Sequence, residues 1–131
     1  MKNILIIDDS VFDRLIASEV IKSSLFNPNV VALESAEEGL AYISERIDVP
    51  SELPDIILLD IIMPKVDGFE FLNRYEKLID SVAVPTKIHI LSSTVDPNDF
   101  SKALKSKHVQ DCIEKPLTRE SVEALLLTSD N

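Results

Sequence analysis

Five residues carry the groups that metal and phosphoryl chemistry use. Asp8, Asp9 and Asp60 bear carboxylates, Ser92 a hydroxyl and Lys115 an ammonium. Each stands at the end of an apolar run: "ILII" precedes the first two aspartates, "IILL" precedes Asp60, "IHIL" precedes Ser92, and "VQDCIE" leads weakly to Lys115. An acid at the end of a buried run is costly unless it has a partner or a use. Three acids gathered in one place repel one another unless a cation holds them ionised. A hard divalent ion with oxygen ligands, most simply Mg²⁺, meets that need. A carboxylate can also be the nucleophile of phosphoryl transfer, with a metal and a lysine neutralising the transferred group. Only two glycines are present, Gly39 and Gly68, and neither belongs to a phosphate-cradling loop of the nucleotide-binding kind.

The elements that must position these groups alternate along the chain. "NILIID" reads as a strand covered on both faces, and "SVFDRLIASEVIKSSL" as a helix with Val11, Leu15, Val20, Ile21 and Leu25 on its apolar side. "NVVAL" is a second strand. Ser35 with Glu38 three residues on forms a capping-box signature for a second helix. "DIILLDII" is the strongest strand signal. "DGFEFLNRYEKLI" spaces Phe69, Leu72, Tyr75 and Leu78 or Ile79 as a helix does. "TKIHILSS" is a fourth strand, Asp96-Pro97 starts a fourth helix, "VQDCIE" is a fifth strand, and "TRESVEALLL" a last helix. Five strand–helix alternations predict a doubly wound α/β domain with parallel strands and helices on both faces. In such sheets ligands bind beyond the carboxyl ends of the strands, where the five candidate residues stand.

Composition narrows the partners. The 131 residues, 45% of them hydrophobic, fit one domain spanning 1–131 with a single contiguous core. Thirteen Lys and Arg against 23 Asp and Glu give a formal charge of -10, which disfavours nucleic acid and anionic membrane surfaces as partners. The single cysteine, Cys112, forms no intrachain disulfide. The first apolar run is too short for a signal peptide or a membrane span, so a cytoplasmic protein is expected.

The ordered motifs "LIIDDS", "ILLDIIMPKVDGFEFL", "ILSS" and "IEKPL" resemble the receiver domain of two-component response regulators over essentially the whole chain. The resemblance implies a flavodoxin-like five-stranded parallel sheet in the order 2-1-3-4-5. It implies that Asp60 is the phosphoacceptor, taking a phosphoryl group from a phosphohistidine donor. Asp9 would then ligate Mg²⁺ directly, Asp8 through water, and Asp60 and the backbone carbonyl of Ile62 would complete the protein ligands. Ser92, or its neighbour Ser93, would bind one phosphoryl oxygen and Lys115 another, with the Lys115–Pro116 bond cis. The implied partners are a sensor histidine kinase or histidine phosphotransfer protein upstream. Downstream, a protein target would meet the face made by the fourth helix, fifth strand and fifth helix. The protein itself would be a monomer or weak dimer. It would be a signalling switch rather than a metabolic enzyme, and a stand-alone one, since only about a dozen residues follow Pro116.

Other readings compete residue by residue. Asp8 and Asp9 could simply cap the following helix, and Lys115 could lie at a surface turn. His89 reads as a packed strand residue. His108 stands where the family usually has a glycine in a turn that often needs positive φ, a region histidine tolerates better than most. Cys112 replaces the Tyr or Phe common in receivers and reads as a gap-filler. Coupling to the output face is therefore expected through the loop after the fourth strand, residues 92–99. A haloacid-dehalogenase-like phosphatase would need a second Asp two positions after the nucleophile, where this chain has Ile62. A partner-binding domain that is never phosphorylated would not need the full set of acids and the lysine.

Overall fold

The computed structural model describes residues 2–61, 67–79, 86–93 and 97–128. Within them the chain runs β1 (Asn3–Ile7), α1 (Val11–Lys22), β2 (Asn29–Leu33), α2 (Ala36–Arg46), a 3₁₀ turn (Pro50–Glu52), β3 (Ile56–Asp60), α3 (Gly68–Leu78), β4 (Lys87–Ser92), α4 (Pro97–Ala103), β5 (Val109–Glu114) and α5 (Arg119–Thr128). All strand pairs are parallel and the sheet order is β2-β1-β3-β4-β5, as expected. The order reverses between β1 and β3, so the crevice of such a sheet opens beside the ends of those two strands.

Unbroken apolar runs suit the central strands because both faces are covered. On one face Ile57 and Leu59 pack with Phe71, Leu72 and Tyr75 of α3; on the other Ile56 and Leu58 pack with Ala17 and Ile21 of α1 and with Val122, Leu125 and Leu126 of α5. Every residue of β3 is buried, whereas the edge strands β2 and β5 are not. Ser35 caps α2 as its spacing predicts, its Oγ accepting from the Glu38 N–H at 3.1 Å.

Helix α1 corrects one expectation. Val11, Leu15 and Leu25 are exposed instead of facing the core, together with Phe12 and Ile16. The inward stripe runs through Ala17 and Ile21, and one turn back along it lie Asp13 and Arg14. That stripe begins polar because its first turn faces the strand ends. His108 also differs from expectation: the single non-glycine residue with positive φ among those described is Asn27, and the His108 ring instead meets Tyr75 edge-on at 5.4 Å. His89 is buried in β4 as a packed residue, its Nδ1 2.6 Å from Asp111 Oδ1 on β5.

Burial pushes the Tyr75 hydroxyl up to about 12, although a hydrogen bond with Thr86 works the other way. The folded state thus holds the neutral phenol more tightly than the unfolded chain does. The associated stability is complete below the ordinary phenol value of 10 and is lost as pH rises towards 12. Urea unfolding of Tyr75→Phe should therefore show a shallower alkaline loss of stability than the parent, by up to about 3 kcal/mol. Parallel pH profiles for the two proteins would contradict this.

Candidate functional site

The strand ends bring all the described candidate residues together. Asp8 follows β1 directly and its N–H donates to the Leu33 carbonyl at 3.1 Å, which keeps it in line with the sheet. Asp60 is the last residue of β3 and Ser92 the last of β4. Lys115 follows β5, and its N–H donates to the Ser92 carbonyl at 2.8 Å. Asp8, Asp60 and Ser92 are buried, while Asp9 and Ser93 are exposed. Ile62, the expected carbonyl ligand, lies outside the described residues, as do Thr94 to Asp96 of the loop after β4.

Carboxylate oxygens of Asp8, Asp9 and Asp60 lie within 4.8 Å of one another, close enough to share one metal ion. Asp8 Oδ1 accepts from the Ser10 N–H at 2.9 Å. Its Oδ2 is fully buried, with the Lys115 Nζ 2.8 Å away as its ion-pair partner. The all-oxygen donor set and its charge match a hard divalent cation.

Lys115 is the counter-charge of the pocket. Its Nζ stands 2.8 Å from Asp8 Oδ2, 2.9 Å from Asp13 Oδ2 and 3.4 Å from Asp60 Oδ2. Burial by itself lowers the lysine pKa, but Asp8, Asp13 and Asp60 together outweigh it and hold the ammonium above its ordinary value. The Lys115–Pro116 peptide is cis, as the resemblance implies. Cys112 is half-buried on the opposite face of the sheet. Burial, then Asp111, pushes its thiol up, away from thiolate reactivity.

Two groups of residues escaped the reading of the sequence. Asp13 and Arg14 belong to the site: Arg14 Nη1 donates to the Asp8 carbonyl at 2.8 Å, and Asp13 holds Lys115. Their signal is the Ala17–Ile21 spacing extended back one turn. The role of the Asp67-Gly68 pair is steric and local. Asp67 caps α3 by accepting from the Glu70 N–H at 2.9 Å, and the Gly68 N–H donates to the Ile61 carbonyl at 2.9 Å. A Cβ on Gly68 would lie 2.6 Å from Ile61 Cα and 2.9 Å from the Asp60 carbonyl oxygen. The missing side chain lets α3 start against the backbone that carries Asp60.

Comparison with known proteins decides the family. The model of the response regulator receiver domain matches residues 4–127. The chain belongs to the response-regulator receiver domain family. It is 34% identical over 126 residues to the chemotaxis protein CheY of Listeria monocytogenes serovar 1/2a, covering 95% of this chain and 96% of that one. It is 27% identical over 124 residues to the two-component response regulator ORR1 of Oryza sativa subsp. japonica, which covers 93% of this receiver but 52% of the rice protein. The receiver thus spans about half the length of that relative. Among solved structures, the response regulator receiver protein of Dyadobacter fermentans superposes with a TM-score of 0.84 at 29% identity, covering 99% and 98% of the two chains. The receiver domain of the histidine kinase CKI1 from Arabidopsis thaliana, complexed with Mg²⁺ and BeF₃⁻, shares the fold with a TM-score of 0.84 at 21% identity, over 98% of this chain and 89% of that one. Such receivers are signalling switches of two-component and phosphorelay systems, and the family binds Mg²⁺ at an acidic pocket.

The close approach at Gly68 can be tested without any ligand. Gly68→Ala must push α3 away from backbone atoms rather than from a flexible side chain, and a cost of about 1–3 kcal/mol is expected in chemical unfolding. Unchanged stability would show that the β3–α3 connection has room to spare.

Proposed function

We propose that this receiver is a signalling switch that accepts a phosphoryl group on Asp60 from a phosphohistidine donor. The observation that carries the proposal is the convergence of Asp60, two further carboxylates and the Lys115 ammonium at the ends of parallel strands far apart in sequence. An Asp60 oxygen attacks phosphorus, the P–N bond to the donor imidazole breaks with its electron pair going to the ring nitrogen, and an acyl phosphate remains on Asp60. Asp9, Asp60 and the Ile62 carbonyl would hold Mg²⁺, with Asp8 reaching it through water, and the ion would supply charge neutralisation for the transferred oxygens. Lys115 pairs with a second oxygen, and the buried Ser92 hydroxyl, in preference to the exposed Ser93, with a third.

Readout follows from the family. The upstream partner is a sensor histidine kinase or a histidine phosphotransfer protein. The downstream partner is a protein that meets the face of α4, β5 and α5. With Cys112 in place of a ring, that face is coupled to the phosphoryl group through the loop after β4. Among the described residues no helix is long and apolar enough to cross a membrane, which accords with action in the cytoplasm.

Incubation with acetyl phosphate and Mg²⁺ should add one labile phosphoryl group by intact mass, and Asp60→Asn should abolish it. Full labelling of Asp60→Asn would move the acceptor elsewhere.

The division of labour between the first two aspartates gives a second test. Asp9 is exposed, whereas Asp8 is already engaged by Ser10 and Lys115. Loss of a direct oxygen ligand costs a small octahedral cation more than loss of a water-mediated one. Mg²⁺ titration should therefore show weaker binding by Asp9→Asn than by Asp8→Asn. The reverse order would exchange the two roles.

A further inference from the structure

Lys115 has one more carboxylate neighbour than the reaction proposed above requires. Asp8, Asp9 and Asp60 form the metal-sized cluster, and Asp13 is outside it. Yet Asp13 Oδ2 lies closer to Lys115 Nζ, at 2.9 Å, than Asp60 Oδ2 does at 3.4 Å. The placement of Asp13 is built rather than incidental. Ser10 Oγ accepts from the Asp13 N–H at 3.3 Å as the cap of α1, and Arg14 ties the same turn to the Asp8 carbonyl. Beside this contact a small cleft separates α1 from the segment after β5, lined by Asp13, Ile16, Ala17, Leu91, Lys115 and Pro116 among others.

We propose that Asp13 is a positioning residue that holds the Lys115 ammonium on the α1 side of the pocket and so sets how readily the ammonium passes to an incoming phosphoryl group. The inference rests on the phosphoacceptor reading and adds to it a residue that tunes the same site. An ammonium that binds a phosphoryl oxygen at charge-assisted hydrogen-bond distance cannot keep all three carboxylates at their present separations. Asp8 is buried and fixed. The Asp13 side chain is 38% exposed and can be taken over by water once released, so it is the partner that gives way.

Charge sets the sign of the effect. Removing the Asp13 charge frees Lys115 and lowers repulsion towards anionic donors and analogues, but it also removes attraction for a divalent cation. Asp13→Asn should weaken Mg²⁺ binding while strengthening beryllofluoride binding and speeding acetyl phosphate labelling at saturating Mg²⁺. Each change should be about two- to fivefold, the scale of a partly exposed ion pair. Damage to the fold would instead lower all three.

The test titrates the parent, Asp13→Asn and Asp13→Glu with Mg²⁺ alone, then with beryllofluoride at saturating Mg²⁺, following backbone amide shifts, and times acetyl phosphate labelling by intact mass. Opposite movements of cation and anion affinity in Asp13→Asn, with Asp13→Glu close to the parent, are expected. Equal labelling of Asp13→Asn and parent, movement of both affinities in one direction, or Asp13→Glu behaving as Asp13→Asn would overturn the role of Asp13 alone. A parent protein that takes no label at all would overturn the phosphoacceptor reading and this one with it.

Discussion

The Lys115 ammonium is the group on which the arrangement of the strand ends depends, because four carboxylates, those of Asp8, Asp9, Asp13 and Asp60, gather there and it is in ion-pair contact with three of them. Like charges at these distances repel strongly in a partly desolvated pocket. One ammonium offsets part of that repulsion and leaves the pocket electronegative. An electronegative pocket whose three carboxylates lie within 4.8 Å of one another favours a divalent cation. The same imbalance makes the ammonium a contested group.

The sheet supplies the geometry that lets one side chain serve so many. Parallel strands end at one edge, so residues 52 positions apart, Asp8 and Asp60, become neighbours through the register of β1 with β3. Lys115 is tied into the same edge twice, by its side chain and by its N–H to the Ser92 carbonyl. Local chemistry then aims the loops. Ser10 caps α1 over the site, Asp67 caps α3, and Gly68 allows α3 to begin against the backbone that presents Asp60.

Helix α1 divides its surface accordingly. Its inward stripe changes from apolar Ala17 and Ile21 to charged Asp13 and Arg14 as it passes from the core to the site, and its outer face leaves Phe12 78% exposed. A helix of this kind defeats simple apolar counting, because the stripe that faces the protein is not the most hydrophobic one throughout its length. At β4 and β5 the expectations hold: Cys112 packs beside the core, and the buried His89 meets Asp111 across the strand pair.

The strand–helix alternation, the doubly wound sheet and the identity of Asp8, Asp9, Asp60, Ser92 and Lys115 were legible in the sequence. Each depends on a local pattern: an apolar run covered on both faces, a cap at fixed spacing, a charged residue where such a run stops. Between Ser92 and Ser93 the motif favours the first, and the fold separates them further by burying Ser92 and exposing Ser93. Which side of α1 faces inward, the capture of Lys115 by Asp13 and the fit of Gly68 against Ile61 were decided by tertiary structure. Each of these is set by the distance between elements remote in the chain, from Asp13 on α1 to Lys115 after β5. Spacing along the sequence carries no measure of that distance until the sheet has closed.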